Sequence, residues 1–441
     1  MKKYLLAVVL VTIVLLNLGC KKAPTEIDKP PIPPTPPSLE LSIDGVSCTE
    51  AWIKVKKLND TTFLPISVKI NEKEFFHGFL TATDTVLFVD SLAPNTTYTV
   101  KGIILDTLQT AKELKVTTLP TTSHNFTWQT FEFGEHSSSA LHDVAIIDEN
   151  NIWAVGEIYM NDSLGKLDPH RYNAVHWNGN RWEIKRIPYN YEGTNYFHPI
   201  QSVFAFGAND VWFCGNGVIN WNGSNYLPIS ITTGVWGSYK MNKMWGRSSN
   251  DLYFVGNNGG IAHHDGKSWQ KIESGTDLDL YDIWGNHDIT TNKSEILTVA
   301  RSNFDAKKQE FLRIKSNNTI ETFPLPEDSI SIVASVWFSS TIWKKYFCGD
   351  GLLTYNSATG KWKKENPWPF SYSVRVRGTT ENDVYSVGVY GFATHYNGVN
   401  WKILTNFPGN AVLGSIAIKN DLVVITGFVG SKAYIAVGRH N

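Results

Sequence analysis

Two short sequence phrases recur along the last two-thirds of the chain, and they constrain its fold more than any other feature. The first phrase is Asn-Asp, an apolar residue, an aromatic residue, two further residues and Gly, as in residues 209–215, 250–256 and 382–388. The second phrase contains Asn-Gly or Asp-Gly with an aromatic residue three positions later, as in residues 220–226 and 395–401. Repetition of this kind predicts a fold that is built from similar units.

Each phrase has a local physical meaning. Asn and Asp form turns through hydrogen bonds from their own side chains, and the apolar and aromatic run that follows predicts a buried strand. Asn-Gly or Asp-Gly between two strands predicts a tight hairpin, because Gly accepts a positive φ. With an apolar strand at the start of each unit, the phrases predict four antiparallel strands per unit.

Seven units can be counted, and four-stranded units in this number are typical of a β-propeller. The last unit has only three strands, and residues 126–133, which precede the first unit, resemble the fourth strand of the others. We expect this segment to complete the seventh blade, which closes the ring and removes two free sheet edges. The predicted fold is all-β, with a seven-bladed propeller over residues 124–441. The seven starting strands are residues 142–147, 202–206, 240–245, 280–284, 332–338, 373–376 and 413–418.

The N-terminus has the features of a secretory signal. Two lysines precede an apolar run over residues 4–16, which is short for a membrane span and has the length of a signal-peptide core. Asn17, Leu, Gly and Cys20 follow, and this segment resembles the lipobox of bacterial lipoproteins, with Asn17 where Leu is usual. The resemblance implies a signal peptide over residues 1–19 and a lipid on the thiol of Cys20. An ordinary cleaved secretory signal is the alternative.

The segment after Cys20 bears on location. Lys21 and Lys22 follow it, and by the enterobacterial sorting rule the lack of Asp at the second position favours the outer membrane. We therefore expect a lipid-anchored protein of the cell envelope; whether it faces the periplasm or the outside stays open. Residues 20–38 are rich in proline and predict a semi-rigid linker.

Residues 39–120 contain short alternating runs, which are typical of a small β-sandwich. Residues 92–100 place Leu-x-Pro before Tyr98, which resembles the fibronectin type III signature with its tyrosine corner. Trp52 stands where that family has its core tryptophan. The resemblance implies a fibronectin type III-like domain over residues 39–120, which serves as a spacer or as a modest protein-binding module.

The sequence lacks the motifs that usually indicate nucleic-acid binding, metal binding or catalysis. A net charge of -1 argues against a general nucleic-acid binder, and Cys214 and Cys348 occupy equivalent repeat positions, which predicts small buried residues. His263 and His264 precede Asp265 in a metal-like cluster, but the repeat explains them as hairpin residues. No familiar metal or nucleophile motif occurs. We therefore predict no catalytic residue, no metal ligand and no cofactor.

Two hairpins resemble those of known propeller families. Residues 265–269 resemble the Asp-box hairpin of sialidase-type propellers, and residues 356–362 are similar to a kelch outer hairpin. These resemblances imply turns and carry no activity.

Propellers bind ligands on the face that is built from the loops leading into the first strands and the loops after the second strands. In this chain those loops are aromatic and polar, which provides the stacking surface and hydrogen bonds that a protein or glycan ligand needs. The insertion at residues 159–172 overhangs the same face. Packing between blades is the alternative role of these rings. The predicted ligand-binding residues are Tyr196, His198, Trp236, Tyr239, Tyr281, Trp368 and Tyr372.

Two functions are compatible with this pattern. The favoured one is a membrane-anchored, non-catalytic binding protein whose propeller face binds a protein or a glycan. The alternative is a carbohydrate-active enzyme, such as a glycosidase, lyase or glycosyl transferase, which needs two carboxylates or a metal at the channel mouth.

Overall fold

In a computed structural model of the chain, the described residues form strands, turns and loops and contain no helix, so the prediction of an all-β chain is confirmed. None of them forms a helix that could cross a membrane. The predicted signal peptide, Cys20 and most of the proline-rich linker lie outside the described part. The described residues are 35–59, 63–136, 138–232, 234–237, 240–288, 293–305, 307–326, 332–341, 343–365 and 372–440.

Residues 38–117 fold into a three-stranded sheet and a four-stranded sheet that share one apolar core. The strand orders are β1-β2-β5 and β4-β3-β6-β7, and Ile53, Ile66 and Val100 are among the fully buried residues of the shared core. The strands are β1 (Ser38–Val46), β2 (Ala51–Leu58), β3 (Leu64–Ile70), β4 (Lys73–Leu80), β5 (Asp84–Val89), β6 (Thr97–Ile104) and β7 (Leu114–Thr117).

Trp52 departs from the sequence-based interpretation. In β2 the residues that enter the core are Ile53 and Val55, so Trp52 points to the opposite face of the sheet. It is nevertheless fully buried, because its indole N–H donates to Oδ1 of Asn356, in the second part of the chain, at 3.3 Å. The interpretation of Trp52 as the core tryptophan of the sandwich is therefore wrong: it fills the junction between the sandwich and the sheets that follow.

Residues 126–440 form seven four-stranded antiparallel sheets, called the first to the seventh in chain order, and one extra hairpin, β13-β14. The strands are β8 (Phe126–Phe133), β9 (Ala140–Asp148), β10 (Asn151–Ile158), β11 (Tyr172–Trp177), β12 (Trp182–Lys185), β13 (Tyr189–Tyr191), β14 (Thr194–Tyr196), β15 (Ile200–Gly207), β16 (Asp210–Gly215), β17 (Val218–Trp221), β18 (Tyr226–Ile229), β19 (Met241–Ser248), β20 (Asp251–Gly256), β21 (Ile261–His264), β22 (Trp269–Lys271), β23 (Asp279–Asp288), β24 (Lys293–Arg301), β25 (Gln309–Ile314), β26 (Ile320–Phe323), β27 (Val333–Phe338), β28 (Lys344–Gly349), β29 (Gly351–Asn356), β30 (Lys361–Lys364), β31 (Ser373–Thr380), β32 (Asp383–Gly388), β33 (Ala393–Tyr396), β34 (Trp401–Ile403), β35 (Ala411–Lys419), β36 (Leu422–Val429) and β37 (Lys432–His440).

The first strand of each sheet lies beside the first strand of the next sheet, and β35 of the seventh sheet lies beside β9 of the first. Tryptophans pack between neighbouring sheets against glycines. A Cβ on Gly285 would lie 2.6 Å from the ring of Trp245, and a Cβ on Gly378 would lie 2.8 Å from the ring of Trp337. A side chain at either glycine would therefore push neighbouring sheets apart.

The repeated phrases have the local structures that the sequence predicts. The four Asn-Gly or Asp-Gly hairpins place their glycines at φ between 86° and 95°, a region that suits glycine. Cys214 and Cys348 are buried free cysteines in the second strands of the second and fifth sheets. Both predictions are confirmed.

The seventh sheet takes strands from both ends of the repeat region. β8 pairs antiparallel with β37, with Thr130 opposite Ala436, so the predicted pairing of this segment with the last strand is confirmed. The ring of Trp128 covers Gly438, where a Cβ would lie 2.6 Å away, and its centroid is 4.9 Å from that of Phe407.

The sheets have two ends. The upper face carries the loops that lead into the first strands and the loops between second and third strands; the lower face carries the other turns. The sandwich contacts the lower face at the fifth sheet, where the Lys344 ammonium lies 2.9 Å from the Glu50 carboxylate. The Trp343 indole donates to Asp44 nearby, also at 2.9 Å.

Replacement of Trp128 by Ala tests the joining of the two ends of the repeat region. We expect a loss of about 2 kcal/mol in the free energy of unfolding, because a half-buried ring is removed from β8 and leaves a cavity over Gly438. Urea denaturation of the full chain measures this loss. The control is Gln129→Ala, at the next, exposed position of the strand; equal midpoints for the two variants would contradict the packing role of Trp128.

Candidate binding face and central channel

A ring of buried polar side chains crosses the centre of the seven sheets, with one residue from each first strand. These residues occupy equivalent places in their first strands. Each pairs with a second-strand residue at or near the position just before the glycine that ends the first phrase. In the fourth sheet, which has lost the phrase, the paired residue stands at the corresponding place. The polar collar, as we call it, consists of Asp143, Ser202, Lys243, Asp282, Ser335, Arg375 and Ser415.

Asp143 connects four sheets through its carboxylate. One oxygen lies 2.5 Å from the Lys243 ammonium and accepts a hydrogen bond from the Ser415 hydroxyl at 2.8 Å. The other oxygen accepts from the Ser202 hydroxyl at 2.7 Å and from the Val203 backbone N–H at 3.0 Å. Burial alone would raise the pKa of Asp143, but Lys243 and these hydrogen bonds hold it below the usual range.

The carboxylate of Asp282 connects the fourth, fifth and sixth sheets in the same way. It accepts hydrogen bonds from the Ser335 hydroxyl and from the Val336 backbone N–H. The Arg377 guanidinium binds both carboxylate oxygens, at 2.9 and 2.7 Å. Burial opposes the charge, but Arg375 and Arg377 hold the pKa of Asp282 well below the usual range. The carboxylate is therefore ionised at neutral pH.

The channel at the collar carries more positive than negative side chains. Lys243, Arg375 and Arg377 face two carboxylates, and Nη1 of Arg375 lies 2.5 Å from Oδ1 of Asp282. Below the collar lies a cavity of about 240 Å³, which is smaller than most small-molecule pockets. Its wall is mainly apolar and includes Phe204, Met244, Trp284 and Ile416.

Two predicted ligand-binding residues, Tyr196 and His198, form an exposed pair on the upper face. Their rings are stacked, with centroids 5.7 Å apart and an interplanar angle of 2°. Tyr196 lies in the extra hairpin and His198 in the loop that leads into β15. The pair offers a flat ring surface to solvent.

Two further predicted residues, Tyr281 and Tyr372, lie within the electrostatic influence of Arg301. The Arg301 guanidinium lies over the Tyr281 ring, with Cζ 4.0 Å from its centroid, and the Tyr281 hydroxyl donates to Asn303. Burial raises the pKa of Tyr372 to about 12, against a smaller opposing effect of the Arg301 charge. Within the described part of the chain, Nε of Arg301 is buried and donates no hydrogen bond. We call these four residues the Arg301 cluster.

Trp236 differs from the other predicted residues because it is only 7% exposed. Its ring packs beside Gly256 and Gly260, where added Cβ atoms would lie 2.8 and 3.1 Å away. The Trp236 ring therefore packs inside the fold, which is the alternative role that the sequence offers for these rings. Tyr239 and Trp368 lie outside the described residues.

Exposed large apolar side chains are distributed unevenly over the two faces. Among the described residues 126–440, six such residues lie in upper-face loops or in the hairpin β13-β14, and Val399 lies in a lower-face turn; Leu227 and Ile403 lie in fourth strands. Sequence reasoning missed most of these six because loops carry no repeat phrase that would mark them, and it missed Arg301 because the fourth sheet has lost the phrases. The six are Leu164, Leu167, Tyr196, Phe304, Leu325 and Tyr390.

Comparison with known proteins gives a fold and no family. No family model matches the chain. No curated protein matches it. Among solved structures, YCF48 bound to a D1 peptide is 15% identical with a TM-score of 0.53, and the match covers 73% of this chain and 97% of that one.

Two other solved structures match over similar lengths. YCF48 from Cyanidioschyzon merolae is 13% identical with a TM-score of 0.53, covering 71% of this chain and 98% of that one. The WD40 β-propeller domain of Doa1 is 11% identical with a TM-score of 0.51, covering 72% and 98%. At these identities the likeness shows the fold alone: the chain contains a β-propeller.

Replacement of Asp143 by Asn tests the collar. We expect a loss of about 3–5 kcal/mol in the free energy of unfolding, because the Lys243 ammonium stays buried without its charged partner. Urea denaturation measures the loss, and Asp148→Asn, at the exposed end of the same strand, is the matched control.

A second variant separates the lost ion pair from general damage to the strand. In Asp143→Asn/Lys243→Met no unpaired charge is buried, so most of the stability should return. If Asp143→Asn is no less stable than Asp148→Asn, the collar does not hold the sheets together.

Proposed function

We propose that this chain is a membrane-anchored, non-catalytic binding protein of the cell envelope, and that its propeller binds a protein or a glycan on the upper face. The observation that carries the proposal is the concentration of exposed large apolar side chains in upper-face loops. These side chains share one face, and exposed apolar surface that is gathered on one face is typical of an interaction site.

The architecture behind this proposal has seven blades and a fibronectin type III-like sandwich. The contact of β35 with β9 and the pairing of β8 with β37 support a ring of seven blades. The three-plus-four sheet arrangement supports the sandwich. So does the hydrogen bond from the Ala93 backbone N–H to the Tyr98 hydroxyl at 2.7 Å, the contact of a tyrosine corner.

The Arg301 cluster provides the polar contacts of the proposed site. Arginine and tyrosine are enriched among the residues that dominate binding energies at interfaces. The terminal nitrogens of Arg301, a half-buried residue, can donate to a carboxylate or carbonyl oxygen of a ligand. Phe304, which is fully exposed, lies in the same loop as Asn303 and adds apolar surface beside it.

The placement of the sandwich supports the choice of face. The sandwich contacts the lower face through Glu50 and Trp52, so that face is partly covered by the chain itself. The proposed lipid anchor at Cys20 precedes the sandwich in the chain. An anchor and spacer on that side leave the upper face directed away from the membrane.

The alternative of a carbohydrate-active enzyme is less well supported. A glycosidase needs one carboxyl group with a raised pKa as its general acid. The two collar carboxylates, Asp143 and Asp282, have lowered pKa values and are saturated by cations and hydroxyl groups.

The bound D1 peptide belongs to the YCF48 structure, and it shows that a propeller of similar fold can take a peptide ligand.

The test is binding of the detergent-solubilised full chain to a glycan array and to a peptide array, repeated with Arg301→Ala. We expect the strongest wild-type signals to fall at least about tenfold, because loss of a central arginine typically costs more than 1.4 kcal/mol of binding free energy. The matched control is Arg181→Ala, on an exposed lower-face hairpin.

Two results would overturn the proposal. Equal binding by the Arg301→Ala and Arg181→Ala variants would show that the ligand does not bind at the upper face. A wild-type chain without signal on both arrays would remove protein and glycan binding as its function.

A further inference from the structure

Three metal-ligating side chains meet at the lower face between the sixth and seventh sheets. Asp383 begins β32, His395 lies in β33, and His440 ends β37. One ligand atom from each lies within 4.8 Å of the others. The His395 side chain is fully buried, and those of Asp383 and His440 are only 8% and 18% exposed.

The third sheet contains the same Asp–His pair in a form that hydrogen bonds fully explain. His263 Nε2 lies 2.8 Å from Asp251 Oδ1, and Asn318 Nδ2 lies 3.1 Å from His263 Nδ1. The amide of Asn318 is a donor, so Nδ1 accepts and Nε2–H donates to the carboxylate. A neutral imidazole satisfies both ring nitrogens of His263 there.

Beside the sixth sheet, a second imidazole stands in the place of that amide. His124 Nδ1 lies 2.9 Å from His395 Nδ1, and His124 Nε2 lies 2.9 Å from Oδ1 of Asn400. Because this Asn400 oxygen is an acceptor, His124 carries its proton on Nε2, and its Nδ1 accepts from His395 Nδ1–H. A neutral His395 therefore turns an unprotonated Nε2 toward Asp383 Oδ1, at 3.1 Å.

Two acceptors in contact need a cation between them. A second proton on His395 would supply one, and a metal ion bound by both groups would supply another. All three ligand atoms lie within 4.8 Å of one another, and the two distances from Asp383 are close to those around a metal ion. Tetrahedral zinc with ligands at about 2.0–2.1 Å separates neighbouring ligand atoms by roughly 3.3 Å. Here Asp383 Oδ1 lies 3.1 Å from His395 Nε2 and 3.6 Å from His440 Nε2.

We propose that Asp383, His395 and His440 bind one divalent transition-metal ion of the zinc type. Two imidazoles and a carboxylate are suitable ligands for this ion. The Tyr385 hydroxyl lies 2.5 Å from His440 Nε2, beside the three proposed ligands. His124 is a positioning residue, since its hydrogen bond to Nδ1 fixes which nitrogen of His395 faces the ion.

The proposed ion has a structural consequence. His440 ends the last strand of the propeller, and His124 stands two residues before β8, the strand that pairs with it. The ion therefore fastens both ends of the repeat region to the sixth sheet. Such a site goes beyond binding on the upper face and does not depend on it.

The test uses the full chain with its affinity tag removed, treated with chelator and titrated with zinc sulfate. Elemental analysis after dialysis should give one zinc ion per chain, and calorimetry should show a higher Tm with zinc than with chelator, since an ion that binds only the folded state stabilises it. Cobalt(II) in the same site should give the strong visible absorption of a four-coordinate ion.

Matched variants locate the site. His440→Gln should lose the retained zinc, the zinc-dependent Tm shift and the cobalt bands, whereas His263→Gln, in the equivalent pair of the third sheet, should keep all three. Should His440→Gln fail to fold, Asp383→Asn replaces it. A wild-type chain that retains no zinc and shows no Tm shift would overturn the proposal, as would equal loss in His263→Gln.

Discussion

The carboxylates of Asp143 and Asp282 are the contacts on which the arrangement of the seven sheets depends. A sheet in a repeat fold otherwise touches only its neighbours, but each of these carboxylates accepts bonds from several first strands at once. A buried ion pair contributes little net free energy compared with apolar packing, and loss of one partner is costly. The collar therefore acts mainly by fixing which side chains meet at the centre.

Because the collar fixes the first strands at the centre, the loops of the upper face can differ in sequence and bind ligands without disturbing the core. The first strands are held by the collar and by the tryptophan–glycine contacts between sheets. Arg301 ends a second strand and Phe304 lies in the loop after it, where sequence can vary without loss of the core. The same repeat contact can also take different roles. The Asp–His pair is a plain hydrogen bond in the third sheet, and in the sixth sheet added histidines turn it into a proposed metal site.

Local features of the fold could be predicted from the sequence, and features that depend on the ring could not. The turn glycines and the pairing of β8 with β37 follow from short phrases and strand pattern. Trp52 lies on the face of β2 opposite the sandwich core, and the surface that buries it comes from Asn356 and its neighbours, which are distant in sequence. The collar escaped prediction because Asp143, Lys243 and Arg375 differ in type and meet only when all sheets are assembled. Arg301 escaped it because the fourth sheet has lost the repeat phrases.

Amide hydrogen exchange of the full chain tests the central role of the collar most directly. The decisive sites are Val203 and Val336, whose backbone N–H groups donate to Asp143 and Asp282. If the collar holds the sheets as one unit, both amides exchange only through global unfolding, with the same free energy. Exchange of either amide at a markedly lower free energy, while the rest of its sheet stays protected, would contradict this account.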